Sequence, residues 1–138
     1  MQFQFGPTVI RVNIANAAAL LAAVRARLVA GQGFALATIN LDHLVKLAAS
    51  EPFRRAYAAQ DLVVADGNPI VWLSRLARRP VELVPGSDMV IPLARLCAET
   101  GRGLALVGAT EPVLEAAATR LMTDIPGLVV VMRHAPAM

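Results

Sequence analysis

The sequence predicts an α/β fold, in which a mostly parallel sheet carries helices on both faces within a single domain. Short apolar runs suited to strands alternate with longer segments whose apolar residues recur every three or four positions, which is the pattern of βαβ units. One of these runs, residues 34–39, is nearly continuous in apolar residues, as expected for a strand covered on both faces. The length of 138 residues fits one domain with one core, which we assign to residues 1–138.

Five strands are predicted from the apolar runs. They lie at residues 8–14, 34–39, 62–65, 103–107 and 128–132. The segments between successive strands are long enough for helical crossovers, so most of the strands are expected to run parallel to one another.

The helices are predicted from apolar periodicity and from the residues that start or stop a helix. The first helix is expected to run from a cap at Asn16 to a stop at Gly31. A helical stretch over residues 41–59 is expected to break near Pro52 and to restart after Ser50. Later helices are expected at residues 69–76, started by Pro69; at residues 89–99, capped by Ser87 or Asp88; and after a cap at Thr110.

Composition and charge argue against several classes of protein. The formal net charge is +3, but the basic residues are scattered and no aromatic stacking motif is interleaved with them, so nucleic acid is not expected as a partner. The single cysteine, Cys97, has no second cysteine to pair with and is expected to be a buried structural thiol in a reducing compartment. No secretory leader opens the chain and no apolar run reaches the length of a membrane span, which predicts a cytoplasmic protein.

The hydrophobic fraction of 57% exceeds the usual value of about 45–50%. We therefore expect part of the surface to be covered by something outside this chain. A second copy, forming a homo-oligomer through an apolar face or a sheet edge, is one such partner.

Polar residues follow the predicted strands at the edge where open α/β sheets bind ligands. Thr38 lies at the end of the second strand and Asn40 follows it, whereas Asp66, Gly67 and Asn68 follow the third strand. Because the carboxyl ends of parallel strands point the same way, these residues are expected to converge on one crevice. A hydroxyl, two amides and one carboxylate suit sugar hydroxyls, whereas no pair at metal-ligand spacing is present. The alternative is structural: Thr38 and Asn40 cap a helix and Asp66 forms a turn.

Two further segments are candidates for ligand contact. Gly86, Ser87 and Asp88 open a predicted helix, whose free N–H groups and positive dipole end would suit a phosphate; ordinary helix capping explains the same residues. Gly108 follows the fourth strand at the same expected edge. The glycine-rich dinucleotide fingerprint, the lysine-containing phosphate loop and the nucleophile elbow are all missing, which disfavours nicotinamide, ATP and triad-hydrolase chemistry.

The order of these motifs resembles the WecG/TagA/CpsF glycosyltransferases, family 26, over about residues 9–131. The resemblance rests on five segments: Thr-Ile-Asn at 38–40, Ala-Asp-Gly-Asn-Pro-Ile-Val at 65–71, Pro-Gly-Ser-Asp at 85–88, Leu-Val-Gly-Ala at 106–109 and Ile-Pro-Gly-Leu at 125–128. It implies a Rossmann-like sheet and transfer, with inversion, of an N-acetylmannosamine-type sugar from UDP to undecaprenyl-diphosphate-linked N-acetylglucosamine. The products of such transfers belong to teichoic acid, common antigen, capsule or exopolysaccharide.

The resemblance also implies roles for individual residues. Asp66 matches the catalytic base that is proposed for the family, and Thr38 matches an active-site threonine. The UDP donor is expected near Asn40, Gly67, Asn68, Gly86, Ser87, Asp88 and Gly108. No cofactor or metal is expected, and the lipid-linked acceptor implies peripheral contact with the inner face of the plasma membrane.

This sequence departs from its relatives in two places. Leu83 stands where many relatives have an arginine, and a Gly-x-Pro-Lys-Gln-Glu segment and a basic C-terminal appendage are not found after residue 138. We therefore expect the sequence to cover the N-terminal major part of the family core. Two alternatives follow: a non-catalytic module that binds a sugar nucleotide or a partner, and a nucleotide-binding domain of another enzyme.

Overall fold

Six helices and six short strands form in residues 1–137, which are the residues described by the structure, a computed structural model. Met138, the last residue of the predicted domain, lies outside the described residues. The elements are β1 (Gln2–Phe5), β2 (Thr8–Arg11), α1 (Ala17–Ala30), β3 (Leu36–Ile39), α2 (Leu41–Ala49), α3 (Glu51–Ala58), β4 (Leu62–Ala65), α4 (Asn68–Leu76), α5 (Gly86–Glu99), β5 (Leu104–Val107), α6 (Glu111–Asp124) and β6 (Val130–His134). The predicted α/β fold class is confirmed.

The strands pair as three two-stranded ladders. β3 and β4 are parallel, as are β5 and β6, whereas β1 and β2 form an antiparallel hairpin. The prediction missed β1, although its Gln-Phe-Gln-Phe alternation is the period of a half-buried strand. The predicted strand at 8–14 pairs with β1 only as far as Arg11.

Residues 12–14 continue beside β4. The Asn13 side chain accepts a hydrogen bond from Val63 N at 2.9 Å and donates one to Asp61 O at 2.7 Å. Ile14 N also donates to Val63 O at 3.3 Å. β4 is therefore held from both sides, by β3 and by this extended segment.

Side chains alternate across β4 and so belong to two different apolar clusters. Val63 and Ala65 pack in a cluster with residues of α2, α3 and α4, whereas Leu62 and Val64 pack with residues of α1 and α5. All four residues are at most 3% exposed, so β4 is covered on both faces. The same cover was predicted for residues 34–39, but only Ile39 of that run is buried and the others are half-buried. Complete burial of each Val or Leu side chain contributes about 1.5–3 kcal/mol. A third cluster joins α5 and α6 next to β5.

Local signals fixed some boundaries and not others. Ser50 separates α2 from α3 and accepts a hydrogen bond from Phe53 N at 3.3 Å, as predicted for a helix that restarts after Ser50. The predicted cap of α5 is wrong: the cap position is Pro85, and Ser87 and Asp88 lie in the first turn of the helix. Thr110 is at the N-cap position of α6, but its side chain makes no capping hydrogen bond.

Two other predictions are revised by the packing of the C-terminal half. The last strand, β6, begins at Val130 rather than at residue 128, because Leu128 is buried in the third cluster. Cys97 is half-buried at the border of that cluster rather than fully buried, and burial raises the pKa of its thiol. The raised pKa disfavours the reactive thiolate, in agreement with a structural role.

Candidate active site

Thr38 and Asp66 lie on the same side of the β3–β4 ladder. The parallel register pairs Thr38 with Val64, and Asp66 is two residues after Val64, so alternation directs both side chains to one face. Asp66 N donates to Ile39 O at 2.8 Å, which holds the end of β4 against the end of β3. The expected convergence of the two strand ends is therefore present.

The chain then returns to this edge after α4. Val84 N donates to Ala65 O at 2.7 Å, and this bond brings the start of α5 beside the end of β4. Gly86 N donates to Asp66 Oδ2 at 3.3 Å. A β-carbon added at Gly86 would lie only 3.1 Å from Thr38 Cγ2 and 3.6 Å from Asp66 Oδ2. Thr38, Asp66 and Gly86 therefore form one close group, which we call the strand-end cluster.

The contact with Gly86 explains why α5 has no capping side chain of its own. A helix leaves its first N–H groups unpaired, and here the Asp66 carboxylate, from a distant part of the sequence, accepts one of them. The positive end of the α5 dipole also favours a carboxylate at this position, by about 0.3–1 kcal/mol. Asp66 thus has a structural role at the start of α5 in addition to any chemical role.

Asn40 and Gly67 border the strand-end cluster. Asn40 caps α2, with its side-chain oxygen accepting from His43 N at 2.9 Å. Gly67 has a φ of 122°, in the region that favours glycine, and a β-carbon there would lie 3.8 Å from Asn40 Cβ. The helix cap that the structural alternative assigns to Asn40 is therefore present, and the turn after Asp66 requires the conformational freedom of Gly67.

The remaining predicted residues are more loosely placed. Asn68 is exposed at the start of α4, and Ser87 and Asp88 are exposed, with Ser87 Oγ donating to Asp88 Oδ1 at 3.3 Å. Gly108 follows β5, where its N–H donates to His134 O at 3.0 Å. In the part of the chain that the structure describes, no hydrogen bond joins these four residues to Asp66.

The sequence interpretation missed Tyr57, which supports the strand-end cluster from behind. Tyr57 is 7% exposed, and its hydroxyl donates to the backbone oxygen of Thr38 on the free edge of β3. His43 Nδ1 lies 2.7 Å from the same hydroxyl and 3.2 Å from Thr38 O. Since the tyrosine hydroxyl has one proton and donates it in the hydrogen bond to Thr38 O, we assign the proton in the contact between Tyr57 and His43 to His43 Nδ1.

Two features of its environment raise the pKa of Tyr57, and the charge of Asp66 is the second of them. Burial, first, and the negative charge of Asp66, second, raise the pKa of Tyr57 to about 12. The aromatic ring packs edge-on against Phe53, with ring centres 5.1 Å apart. A lone tyrosine on the apolar face of α3 was the only sequence signal for this contact. His43 is half-buried and takes part in this hydrogen-bond network.

Chemically, the strand-end cluster offers a half-buried carboxylate, a hydroxyl and a helix N-terminus at one edge of the ladder. These groups can accept a proton, bind a sugar hydroxyl and face a phosphate. Within residues 1–137, no group of three or more His, Cys, Asp or Glu side chains is arranged to hold a metal ion. A depression of about 680 Å³ between the β1–β2 turn and helices α2 and α3 contains none of the predicted site residues.

Comparison with known proteins identifies one family. The family model described as "Glycosyl transferase WecG/TagA/CpsF family" matches residues 7–138. No curated protein matches the chain. The matched segment includes every residue of the strand-end cluster.

Proposed function

Because this chain belongs to the WecG/TagA/CpsF family of glycosyltransferases, we propose that it transfers an N-acetylmannosamine-type sugar from a UDP donor to a polyprenyl-diphosphate-linked N-acetylglucosamine, with inversion. The convergence of Thr38, Asp66 and Gly86 on one sheet edge is the observation that supports this proposal most strongly. The donor is soluble in water and the acceptor is held in lipid, so the reaction would take place at the inner face of the plasma membrane.

Asp66 is the general base in this proposal. The acceptor hydroxyl oxygen forms a bond to the anomeric carbon as the bond from that carbon to the UDP oxygen breaks, and UDP leaves with the electron pair. The proton of the attacking hydroxyl passes to the Asp66 carboxylate. General base catalysis of this kind contributes typically about 10²–10⁴-fold to the rate.

The neighbours of Asp66 have supporting roles. Gly86 N donates to Oδ2, which orients the carboxylate. Thr38, whose side chain borders Gly86, would bind a hydroxyl of the donor or acceptor sugar. The start of α5, with Ser87 and Asp88, and the turn at Gly67 and Asn68 would lie along the UDP moiety, where backbone N–H groups can approach phosphate. Asn40 borders the same turn, and Gly108 is proposed as an outer contact.

The test measures UDP binding and sugar transfer separately on the same protein. Calorimetry with UDP measures the donor site, and chromatography of a lipid-diphosphate-linked N-acetylglucosamine analogue, incubated with UDP-N-acetylmannosamine, measures the product. Formation of a lipid-linked disaccharide whose transferred sugar has the inverted configuration at its anomeric carbon supports the proposed reaction. Binding of UDP without any product would identify a sugar-nucleotide-binding module instead, and absence of both would overturn the proposal.

A further inference from the structure

Helix α4 presents an unusual apolar stripe to solvent. Pro69, Trp72, Leu73 and Leu76 recur at the spacing of one helix face. Trp72 is 63% exposed and Leu76 is 82% exposed, whereas Ile70 and Ser74 on the opposite face are fully buried. The helix is therefore already packed on one side and has a second apolar side with no partner in residues 1–137.

Three arginines flank this stripe. Arg75, Arg78 and Arg79 are exposed, and no acidic residue occurs between residues 67 and 81. None of the three forms an ion pair with any described residue. Four exposed arginines elsewhere are paired, Arg25 with Glu99, Arg55 with Glu51, Arg120 with Asp124 and Arg133 with Glu111. Arg11, Arg95 and Arg102 are exposed without an ion pair among the described residues, but they lie apart from one another in the sequence. The end of α4 is thus a local concentration of uncompensated positive charge.

We propose that the surface formed by Trp72, Leu73, Leu76, Arg75, Arg78 and Arg79, which we call the α4 surface, docks onto an anionic lipid bilayer. Tryptophan and leucine enter the boundary between head groups and acyl chains, while arginines remain with the anionic head groups. Within residues 1–137, no helix combines the length and the apolarity needed to cross a membrane. Helix α4 has nine residues, far fewer than the roughly 20 that a span needs, so in the proposed contact it lies along the membrane surface.

Charge favours a bilayer over a second copy of the chain. An interface that pairs two α4 surfaces would bring six arginines together with no acidic residue from either helix. An anionic membrane supplies the missing negative charge. Burial of the apolar stripe in the bilayer also stabilises the contact, and a purely polar anion could not bury that stripe.

The position of α4 links this surface to the strand-end cluster. The helix begins at Asn68, two residues after Asp66, and a β-carbon at Gly67 would lie 3.7 Å from Pro69 Cδ. A nine-residue helix is about 14 Å long, so docking would hold the cluster within about that distance of the head groups. This link between docking and the strand-end cluster rests on the proposed function, because proximity to the membrane matters only if the acceptor is held in lipid. The docking proposal itself does not rest on the proposed function.

The single tryptophan makes the test specific, because Trp72 is the only tryptophan of the chain. Vesicles of phosphatidylcholine with phosphatidylglycerol, compared with phosphatidylcholine alone, are titrated while the tryptophan emission and its quenching by brominated lipid are recorded. We expect a blue shift and quenching only with the anionic vesicles, and weaker binding as salt is raised.

Matched variants assign the binding to the α4 surface. Leu76→Ser is compared with Val29→Ser on α1, which is similarly exposed at 71%. Arg75→Glu with Arg79→Glu is compared with Arg11→Glu and Arg95→Glu, which change the net charge equally at exposed positions elsewhere. Vesicle affinity should fall more than about tenfold for the double charge reversal on α4, less for Leu76→Ser, and little for the controls.

Several results would overturn the proposal. Trp72 emission that is unchanged by anionic vesicles, or equal loss of binding in the α4 and control variants, excludes the α4 surface as the docking site. A blue shift that grows with protein concentration without vesicles identifies a second copy as the occupant. Vesicle binding requires no sugar nucleotide, and a water-soluble acceptor analogue measures transfer without docking, so failure of this proposal and failure of the proposed function are distinguishable.

Discussion

Titration of Tyr57 tests the geometry around Asp66, because Tyr57 is the only tyrosine in the chain. Burial and then the charge of Asp66 raise its pKa from 10.0 to about 12. In the protonated form the Tyr57 hydroxyl donates a hydrogen bond to the backbone oxygen of Thr38. Ionisation would remove this hydrogen bond and place a phenolate against that oxygen. A pKa of about 12 in place of 10.0 corresponds to roughly a hundredfold preference for the protonated form, or at most about 2.7 kcal/mol.

The sign of the stability change follows from the direction of this shift. The folded-state pKa is higher than the unfolded one, so folding favours the protonated phenol. Its contribution to the free energy of unfolding is complete below pH 10 and is lost as the pH rises from 10 to about 12. Urea unfolding at a series of pH values in this range should show the decline.

Ultraviolet absorbance of tyrosinate measures the pKa directly, with circular dichroism as the check that the protein is still folded. The Asp66→Asn substitution should lower the pKa of Tyr57 while leaving it above 10, because burial is the larger cause and remains. Asp124→Asn, an exposed carboxylate paired with Arg120 on α6, should leave it at about 12. A folded protein whose tyrosine titrates near 10, or does not respond to Asp66→Asn, would refute the placement of these two residues.

Two further substitutions test the packing around the site. Gly86→Ala should slow sugar transfer, since the new β-carbon 3.1 Å from Thr38 Cγ2 displaces that side chain, whereas Gly33→Ala, with nothing within 4 Å, should not. Equal steady-state transfer rates for both variants would contradict the close packing of Gly86 against Thr38 in the strand-end cluster. Ser74→Ala should lower the free energy of unfolding by about 1–3 kcal/mol in urea, because it leaves Val81 N, now 3.1 Å from Ser74 Oγ, without a partner. The exposed Ser87→Ala should cost less than about 0.5 kcal/mol, and a similar loss for both serines would count against the buried hydrogen bond.

The parts of the fold that were predictable are those with local signals. The apolar run 62–65 forms β4, Asn16 caps α1, and Gly31 ends that helix with a φ of 67°. Thr38 and Asp66 could be placed at one edge because parallel strands share a direction, and the register brings them to one face.

The parts that were not predictable depend on contacts between distant residues. The start of α5 carries no local cap, since Asp66, 20 residues earlier, accepts the N–H of Gly86. Tyr57 reaches Thr38 O across 19 residues, and nothing near it in sequence indicates that contact. Asn13 holds Val63 through a side chain, which no periodicity predicts. These long-range hydrogen bonds decide how the strand-end cluster is assembled.

The central claim is that the carboxylate of Asp66 takes the proton in sugar transfer. The most direct measurement is the single-turnover transfer rate of Asp66→Asn beside that of the unchanged protein and of Asp124→Asn. The amide oxygen of the variant can still accept the Gly86 N–H, so UDP affinity and folding should persist while the rate falls by about 10²–10⁴-fold. A rate for Asp66→Asn equal to that of Asp124→Asn would contradict the claim.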